Sequence, residues 1–370
     1  MHVNRLLMML PFLVLPMRMW AAPPAPTRSP TQPHLEHVAI WAADIDKTAA
    51  FLEDTLGWRR HPLEFGVSDD STVYGGMKLA FVDANGFWLE LVQPTTEGPG
   101  MEFLRQKGNG SIVELDFFVD DFEKTVAWMK SKGVEPWGMD GKPMVNGGLL
   151  QEWAKIDGKV RNADERLMYL PTDVSRGTSI ELGWEYPSGV VYYRDETWGP
   201  AERTPATAPR MDHVAVAAAD LPKTTDVYTK VLELKQAPGA PGLSRDWMGV
   251  TAADQNWIHG NSHVWVNVVA PTGPAGAKVL ADPRFGDGNI MELAAEVADI
   301  DAFYDAMKAK GITMTAGDGV PLPADAKAVT TATGDRYSYF PLDRSEGMRI
   351  LVFQRAKDGA FTKRDAAKLR

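Results

Sequence analysis

The chain contains no cysteine. That absence excludes a disulfide framework, a thiol-linked lipid and any cysteine-type zinc site. Positive charge is also in deficit, with 39 Lys and Arg against 49 Asp and Glu and a net charge of −10. Nucleic acids and anionic membranes select basic surfaces, so neither is an expected partner. The sequence has no glycine-rich phosphate loop and no nucleophile-elbow serine. Its longest apolar run, Leu6 to Met17, is too short to span a bilayer comfortably.

That run instead reads as the core of a secretory leader. Arg5 precedes it, and the proline-rich stretch Ala21-Ala-Pro-Pro-Ala-Pro26 follows. Residues 1–22 are the expected leader and 23–34 a spacer, which places the mature protein in the periplasm or outside the cell. The cleavage region is imperfect, because Met19 and Trp20 stand where small residues are preferred and Arg18 interrupts the exit. An uncleaved anchor is the alternative. No stable membrane span is expected once the leader is removed.

What the rest of the chain has in abundance is repetition. His37-Val-Ala-Ile-Trp-Ala-Ala-Asp44 returns as His213-Val-Ala-Val-Ala-Ala-Ala-Asp220, an offset of 176 residues, and Leu91-Val-Gln-Pro94 returns as Val268-Val-Ala-Pro271. Within each half a strand and an amphipathic helix recur. The helices open at Asp44, Asp121, Asp220 and Asp299, each able to accept from free first-turn N–H groups, and three of the four stop at Gly57, Gly133 and Gly311. Four such units mean an internally repeated fold. The expected halves are residues 35–195 and 210–356, with a proline-rich linker over 196–209 and a charged tail over 357–370. A 370-residue chain that is 44% hydrophobic can bury two cores.

Alternation assigns the strand faces. His37 shares a side with Ala39 and Trp41, while Val38 and Ile40 point to a helix-covered core. Glu90 shares a side with Trp88 and Val92. Glu114 and Glu181 likewise interrupt apolar strands. One glutamate in an apolar strand usually sits on a solvated sheet face, because antiparallel sheets often leave one side wet. Three carboxylates and an imidazole at matching places in two units point instead to a site, since a charge there must be paired, neutralised or bound to metal. His34, His61 and His259 fall in loops or at strand ends, where a solvated histidine is the expectation.

The segments His37-Val-Ala-Ile, Asp44-Ile-Asp-Lys, Leu56-Gly-Trp, Leu89-Glu-Leu-Val-Gln-Pro, Phe118-Val-Asp-Asp and Gly177-Thr-Ser-Ile-Glu-Leu together resemble the vicinal oxygen chelate superfamily. It includes glyoxalase I, methylmalonyl-CoA epimerase, extradiol dioxygenases and bleomycin-resistance proteins. The resemblance implies an α+β fold of four βαβββ units, forming two tandem domains whose mixed sheets curl around a cleft, with one metal ligand from each of four strands. Carried over by position, those ligands are His37, Glu90, Glu114 and Glu181. Epimerases and glyoxalases usually carry histidine where this chain has Glu114. The second half maps onto His213, Asn267, Glu292 and Leu351, where leucine cannot coordinate, so the metal is expected in the first half.

One imidazole with three carboxylates is a hard, oxygen-rich set. It favours Mn²⁺, Mg²⁺ or Fe²⁺, with Zn²⁺, Ni²⁺ and Co²⁺ also compatible. The resemblance then implies proton-transfer isomerase, epimerase or lyase chemistry on a small oxygenated substrate, with Glu181 first and Glu114 second as the base. Trp41, Tyr74 and Trp88 are the expected substrate contacts, with Trp153 and Trp184 also available to a cleft. The glycine- and charge-rich segment 137–166 is either a lid or wall over that cleft or a plain surface loop. Two other readings stand beside this one. Ring-cleaving dioxygenases use two histidines and a carboxylate, and a binding protein would sequester a small compound without turnover. Coenzyme A and glutathione adducts fit poorly with export, and the residues leave the oligomeric state open.

If the leader is removed, N-terminal sequencing of the protein from its native host is expected to begin between about Ala22 and Pro30. A sequence starting at Met1 would contradict a cleaved leader.

Overall fold

A computed structural model describes residues 32–67, 75–156, 158–162, 165–185, 203–367 and 369. The expected leader, most of the spacer, much of the expected linker and Tyr74 lie outside these residues. No helix among those described is long and apolar enough to cross a membrane.

The four repeated helices form where the aspartates predict. Asp44 accepts from the amides of Asp46 and Lys47 at the start of Ile45–Leu56. Asp121 accepts from Lys124 at the start of Phe122–Ser131, and Asp299 from Asp301 and Ala302 at the start of Ile300–Ala309. The third helix, Leu221–Asp226, has the same aspartate cap in Asp220 but no glycine to end on. It widens into a π-turn over Val227–Val231, and Glu233 takes the left-handed conformation with φ of 53°. A side chain in that region is disfavoured, which is why glycine closes the other three.

Strand alternation sorts the sheet into a core face and a cavity face. Val38, Ile40, Leu89, Leu91, Leu115, Ile180 and Leu182 are fully buried against the helices, and Val214, Val216, Val266, Val268 and Leu293 repeat the pattern in the second half. The opening strand His34–Trp41 runs parallel to Trp88–Pro94 on one side and antiparallel to Ser111–Phe118 on the other. Ser111–Phe118 pairs in turn with Ser179–Glu185. The second half repeats this order with Arg210–Ala217, Trp265–Val269, Ile290–Glu296 and Ile350–Gln354.

In the first half the sheet curls further. Glu64–Val67 at one edge pairs with Glu152–Ile156, a strand of the segment expected to be a lid, wall or loop, while Leu149–Leu150 of that segment pairs with Glu165–Tyr169 near the opposite edge. The segment is therefore a hydrogen-bonded wall. The two halves meet at the starts of two central strands, where Ile112 pairs with Ile290. Two loop pairs close this junction: a Cβ on Gly110 would strike the backbone of Glu346 and Gly347, and one on Gly288 would strike that of Arg176 and Gly177. Both glycines have positive φ as well, at 76° and 77°.

The described part of the joint, residues 203–209, has neither helix nor strand and is tied to the first half. Thr204 donates to the Asp83 carbonyl, and the Trp58 indole donates to the Pro209 carbonyl at 2.7 Å. The charged tail contributes to the core of the second half. Within its helix Ala360–Ala366, Phe361 and Arg364 are buried.

Candidate functional site

The cavity face of the first half encloses about 280 Å³, and all four positions His37, Glu90, Glu114 and Glu181 line it. Register explains the convergence. Ala39 stands opposite both Glu90 and Glu114 on its two neighbouring strands, and His37 stands opposite Asp116, which in turn faces Glu181. His37 Nε2 lies 2.9 Å from Asp116 Oδ2 and 3.5 Å from Glu90 Oε2. Phe81 and Phe118 hold its ring edge-on, with centroids 5.8 and 6.1 Å away. Tyr169 donates a short hydrogen bond to Glu181.

Three further acids join them: Asp116, Glu152 and Glu165. Asp116 follows Glu114 by two residues, so alternation alone places it on the same face. Glu165, Leu167 and Tyr169 alternate in the same way and all line the cavity. Glu152 had no comparable signal, because it enters on the wall strand that crosses to the opposite edge.

Six carboxylates around one histidine perturb one another. Burial acts to lower the His37 pKa, but the charge and hydrogen bond of Asp116, with those of Glu90, override it and raise it well above the usual value. Burial pushes Glu114 up to about 7, with the nearby charges of Asp116 and Glu90 adding to it and a hydrogen bond from Glu181 opposing. Burial and then the charges of Asp116 and Glu114 raise Glu181, while burial and Glu152 raise Glu165. An oxygen each of Glu114, Asp116 and Glu165 is buried with no hydrogen-bond partner. Such groups are costly unless neutralised. The donors are hard oxygens beside one imidazole, so the set suits a hard divalent cation. Among the described residues no three acids or histidines are drawn together closely enough to enclose an ion as they stand.

The second half shows how the same strand positions are satisfied from within. His213, Asn267, Glu292 and Leu351 occupy the places of His37, Glu90, Glu114 and Glu181 in the strand register. The guanidinium of Arg245 fills their centre, fully buried. Its Nη2 donates to Glu292 at 2.7 Å and faces His213 Nε2 at 3.4 Å, while Nη1 donates to Gln255 at 3.2 Å and to Asn267 at 3.4 Å. Arginine only donates, so His213 Nε2 accepts and its Nδ1 proton points to Asp212, 2.7 Å away. Arg364 grips Asp212 with two bonds of 2.8 and 2.9 Å, and Tyr339 donates to Glu292 at 2.6 Å. Burial raises the Glu292 pKa, yet the charge and hydrogen bond of Arg245 bring it down to about 2.

Of the aromatic contacts expected, Trp41 lines the first-half cavity and stacks obliquely on Phe103, with centroids 5.2 Å apart. Trp88 stands outside the lining with its ring against His61. Trp153 covers Gly66 and Trp184 packs by Arg166, both also outside it. His61, expected to be solvated, is only 1% exposed. It sits between Phe65 and Trp88, and burial lowers its pKa to about 4. The turn that carries it folds inward, which composition around residue 61 did not signal. His34 is half-buried and 3.3 Å from Glu36, and His259 is half-buried with its ring edge-on to Trp265.

Two profiles of the Glyoxalase/Bleomycin resistance protein/Dioxygenase superfamily match the chain, one over residues 36–148 and one over 210–327. No curated protein sequence matches. Among solved structures, a mutant of 4-hydroxymandelate synthase from Streptomyces coelicolor is similar at 17% identity, with a TM-score of 0.55 over 88% of this chain and 93% of that one. The 2,3-dioxygenase LapB from Pseudomonas sp. KL28 shares 14% identity over 89% of this chain and 94% of that one, with a TM-score of 0.46. A Mn(II)-bound glyoxalase from Novosphingobium aromaticivorans shares 15% over 88% and 82%, with a TM-score of 0.47. Similarity at this level speaks to the fold alone.

Removing the guanidinium should leave Glu292 buried and unpaired. Arg245→Met is expected to cost about 3–5 kcal/mol of stability, and the double variant Arg245→Met with Glu292→Leu to cost less, both read by denaturant unfolding. Glu292 titrates lower in the folded chain than its ordinary 4.5, so its contribution is present above that pH and is lost as pH falls toward about 2. Equal stability of Arg245→Met and the parent would contradict the assignment.

Proposed function

Because the chain belongs to the glyoxalase/bleomycin resistance protein/dioxygenase superfamily, we propose that its first-half cavity is the active site of a metal-dependent enzyme that moves a proton on a small oxygenated substrate. The observation that carries this reading is the contrast between the halves. Matching strand positions hold a built-in guanidinium in the second half, while in the first they present Glu90, Glu114 and Glu181, of which Glu114 keeps a buried unpartnered oxygen, as do Asp116 and Glu165 beside them. With six carboxylates against only the His37 imidazole and the Lys107 ammonium, that cavity is suited to take a further cation from outside.

His37, Glu90 and either Glu114 or Asp116 would hold the ion. A divalent ion there would supply Lewis acidity toward a substrate carbonyl oxygen, making the proton on the carbon alpha to that carbonyl more acidic. The chain's own residues do the rest. Glu181 and Glu114 stand on adjacent strands, and Glu114 raises the affinity of Glu181 for a proton, so one can take a proton while the other holds one. Tyr169 fixes the Glu181 carboxylate from the far side. Trp41, Phe103, Val92 and Leu79 give the substrate an apolar wall and exclude water. The substrate is a small oxygenated compound met outside the cytoplasm, in keeping with the expected leader.

Glu181→Gln keeps the shape and one oxygen but removes a proton acceptor. It is expected to fold as the parent does and to turn over about 10²- to 10⁴-fold more slowly in a screen of oxygenated metabolites with Mn²⁺ restored. Solvent deuterium should enter the product with the parent and fall with the variant. Oxygen consumption matched to product without deuterium would select a dioxygenase, and tight binding without either signal would select a sequestering protein.

A further inference from the structure

The first-half cavity is not built by the first half alone. Gly288 and Asn289 of the second half complete one end of it, beside Lys107, the last residue of the helix Pro99–Lys107. Lys107 Nζ donates to the Pro283 carbonyl at 2.9 Å and to Asn289 Oδ1 at 3.0 Å, and it lies 5.9 Å from the Phe103 ring centroid. Asn289 is fixed in turn by its own amide, which donates to the Gly286 carbonyl at 3.3 Å. Both acceptors of Lys107 are therefore neutral groups supplied by the second half. No carboxylate lies within ion-pair distance of it among the described residues, and Asp282 acts on it only at longer range.

An ammonium in an acidic protein ordinarily finds a carboxylate. Here it is half-buried, held by neutral oxygens at two of its three protons, and part of the lining of the cavity, which leaves one proton for a ligand there. The opposite end of that cavity holds His37, Glu90 and Asp116. His37 and Trp41 stand four residues apart on one strand, roughly 13 Å at about 3.3 Å per residue, and Phe103 beside Trp41 is one helical turn before Lys107. The space between the two polar ends is walled by Trp41, Phe103, Val92 and Val113. The cavity thus has His37 and its acids toward one end and Lys107 at the other, with an apolar wall between them and Glu114 on the strand opposite Ala39.

We infer that Lys107, positioned by Asn289 of the second half, receives the anionic head of a small, apolar-bodied organic acid whose other end reaches the His37 cluster. The inference rests on the first-half cavity being the reaction site and adds the class of compound it takes. It also gives the second half a role in the first half's site. A lysine fixed as a point charge recognises a carboxylate or a sulfonate alike, and the hydroxyls of Thr172 and Ser179 line the same cavity.

Two matched dyes test this without knowledge of the substrate. 8-Anilinonaphthalene-1-sulfonate carries an anionic head on an apolar body, and N-phenyl-1-naphthylamine is the same body without it. The parent is expected to bind the sulfonate at least about tenfold more tightly, the size of one charge-assisted hydrogen bond. Lys107→Met should abolish that preference and Lys107→Arg retain it. A preference that survives Lys107→Met, a neutral dye that binds the parent as tightly as the sulfonate, or exclusion of both dyes would overturn the proposal. Deuterium incorporation reads Glu181→Gln and the dye ratio reads Lys107→Met, so a failure of the proton-transfer reading is distinguishable from a failure of this one.

Discussion

A carboxylate taken out of water has to be met by a positive charge or a proton, and that constraint shapes both halves of this chain. Desolvating a carboxylate costs several kcal/mol even after relaxation, and a well-placed guanidinium offsets it only with good geometry. In the second half the geometry is good. Arg245 meets Glu292, Asn267 and Gln255, His213 accepts from it, and Arg364 secures Asp212 behind the histidine. In the first half the same strand positions carry acids without such a partner, and raised carboxyl pKa values with unpartnered oxygens are the consequence.

The repeat makes this contrast informative. A tandem duplication starts with two equal pockets, and each can then change while the sheet that frames it stays. Here the frame is kept down to register, with Ala39 and Ala215 each standing between the matching positions on neighbouring strands. What differs is the filling. The second pocket has become a packed ionic core, and its outer loops have become part of the first pocket's rim through Gly288 and Asn289. The pairing of Ile112 with Ile290 holds rim and cavity in one frame.

Much of this was legible in the sequence, for physical reasons. Capping aspartates and terminal glycines marked the helices because their hydrogen bonds and φ values are local. Alternation placed His37, Ala39 and Trp41 on one face and Val38 and Ile40 on the other because a strand has a period of two. The same rule reaches Asp116 from Glu114 and Tyr169 from Glu165, and applying it only to isolated acids left those residues out. Arg245 was beyond reach. It sits in a loop just before Asp246–Met248, where no periodicity operates, and its role is visible only when the loop is folded over the strands. Glu152 was hidden likewise, since pairing across the curled sheet is a long-range choice. His61 shows the opposite error, a loop residue buried by tertiary packing that local composition does not encode.

On the proposed reading the second pocket is neutralised by the chain's own guanidinium, while the acid-rich first takes a divalent ion from solution. Metal content of folded, purified protein measured by elemental analysis tests this most directly, comparing the parent with His37→Ala and His213→Ala after equilibration with Mn²⁺. About one divalent ion per chain is expected in the parent and in His213→Ala, with loss of the ion in His37→Ala. Loss in His213→Ala alone, or an ion count indifferent to His37, would contradict it.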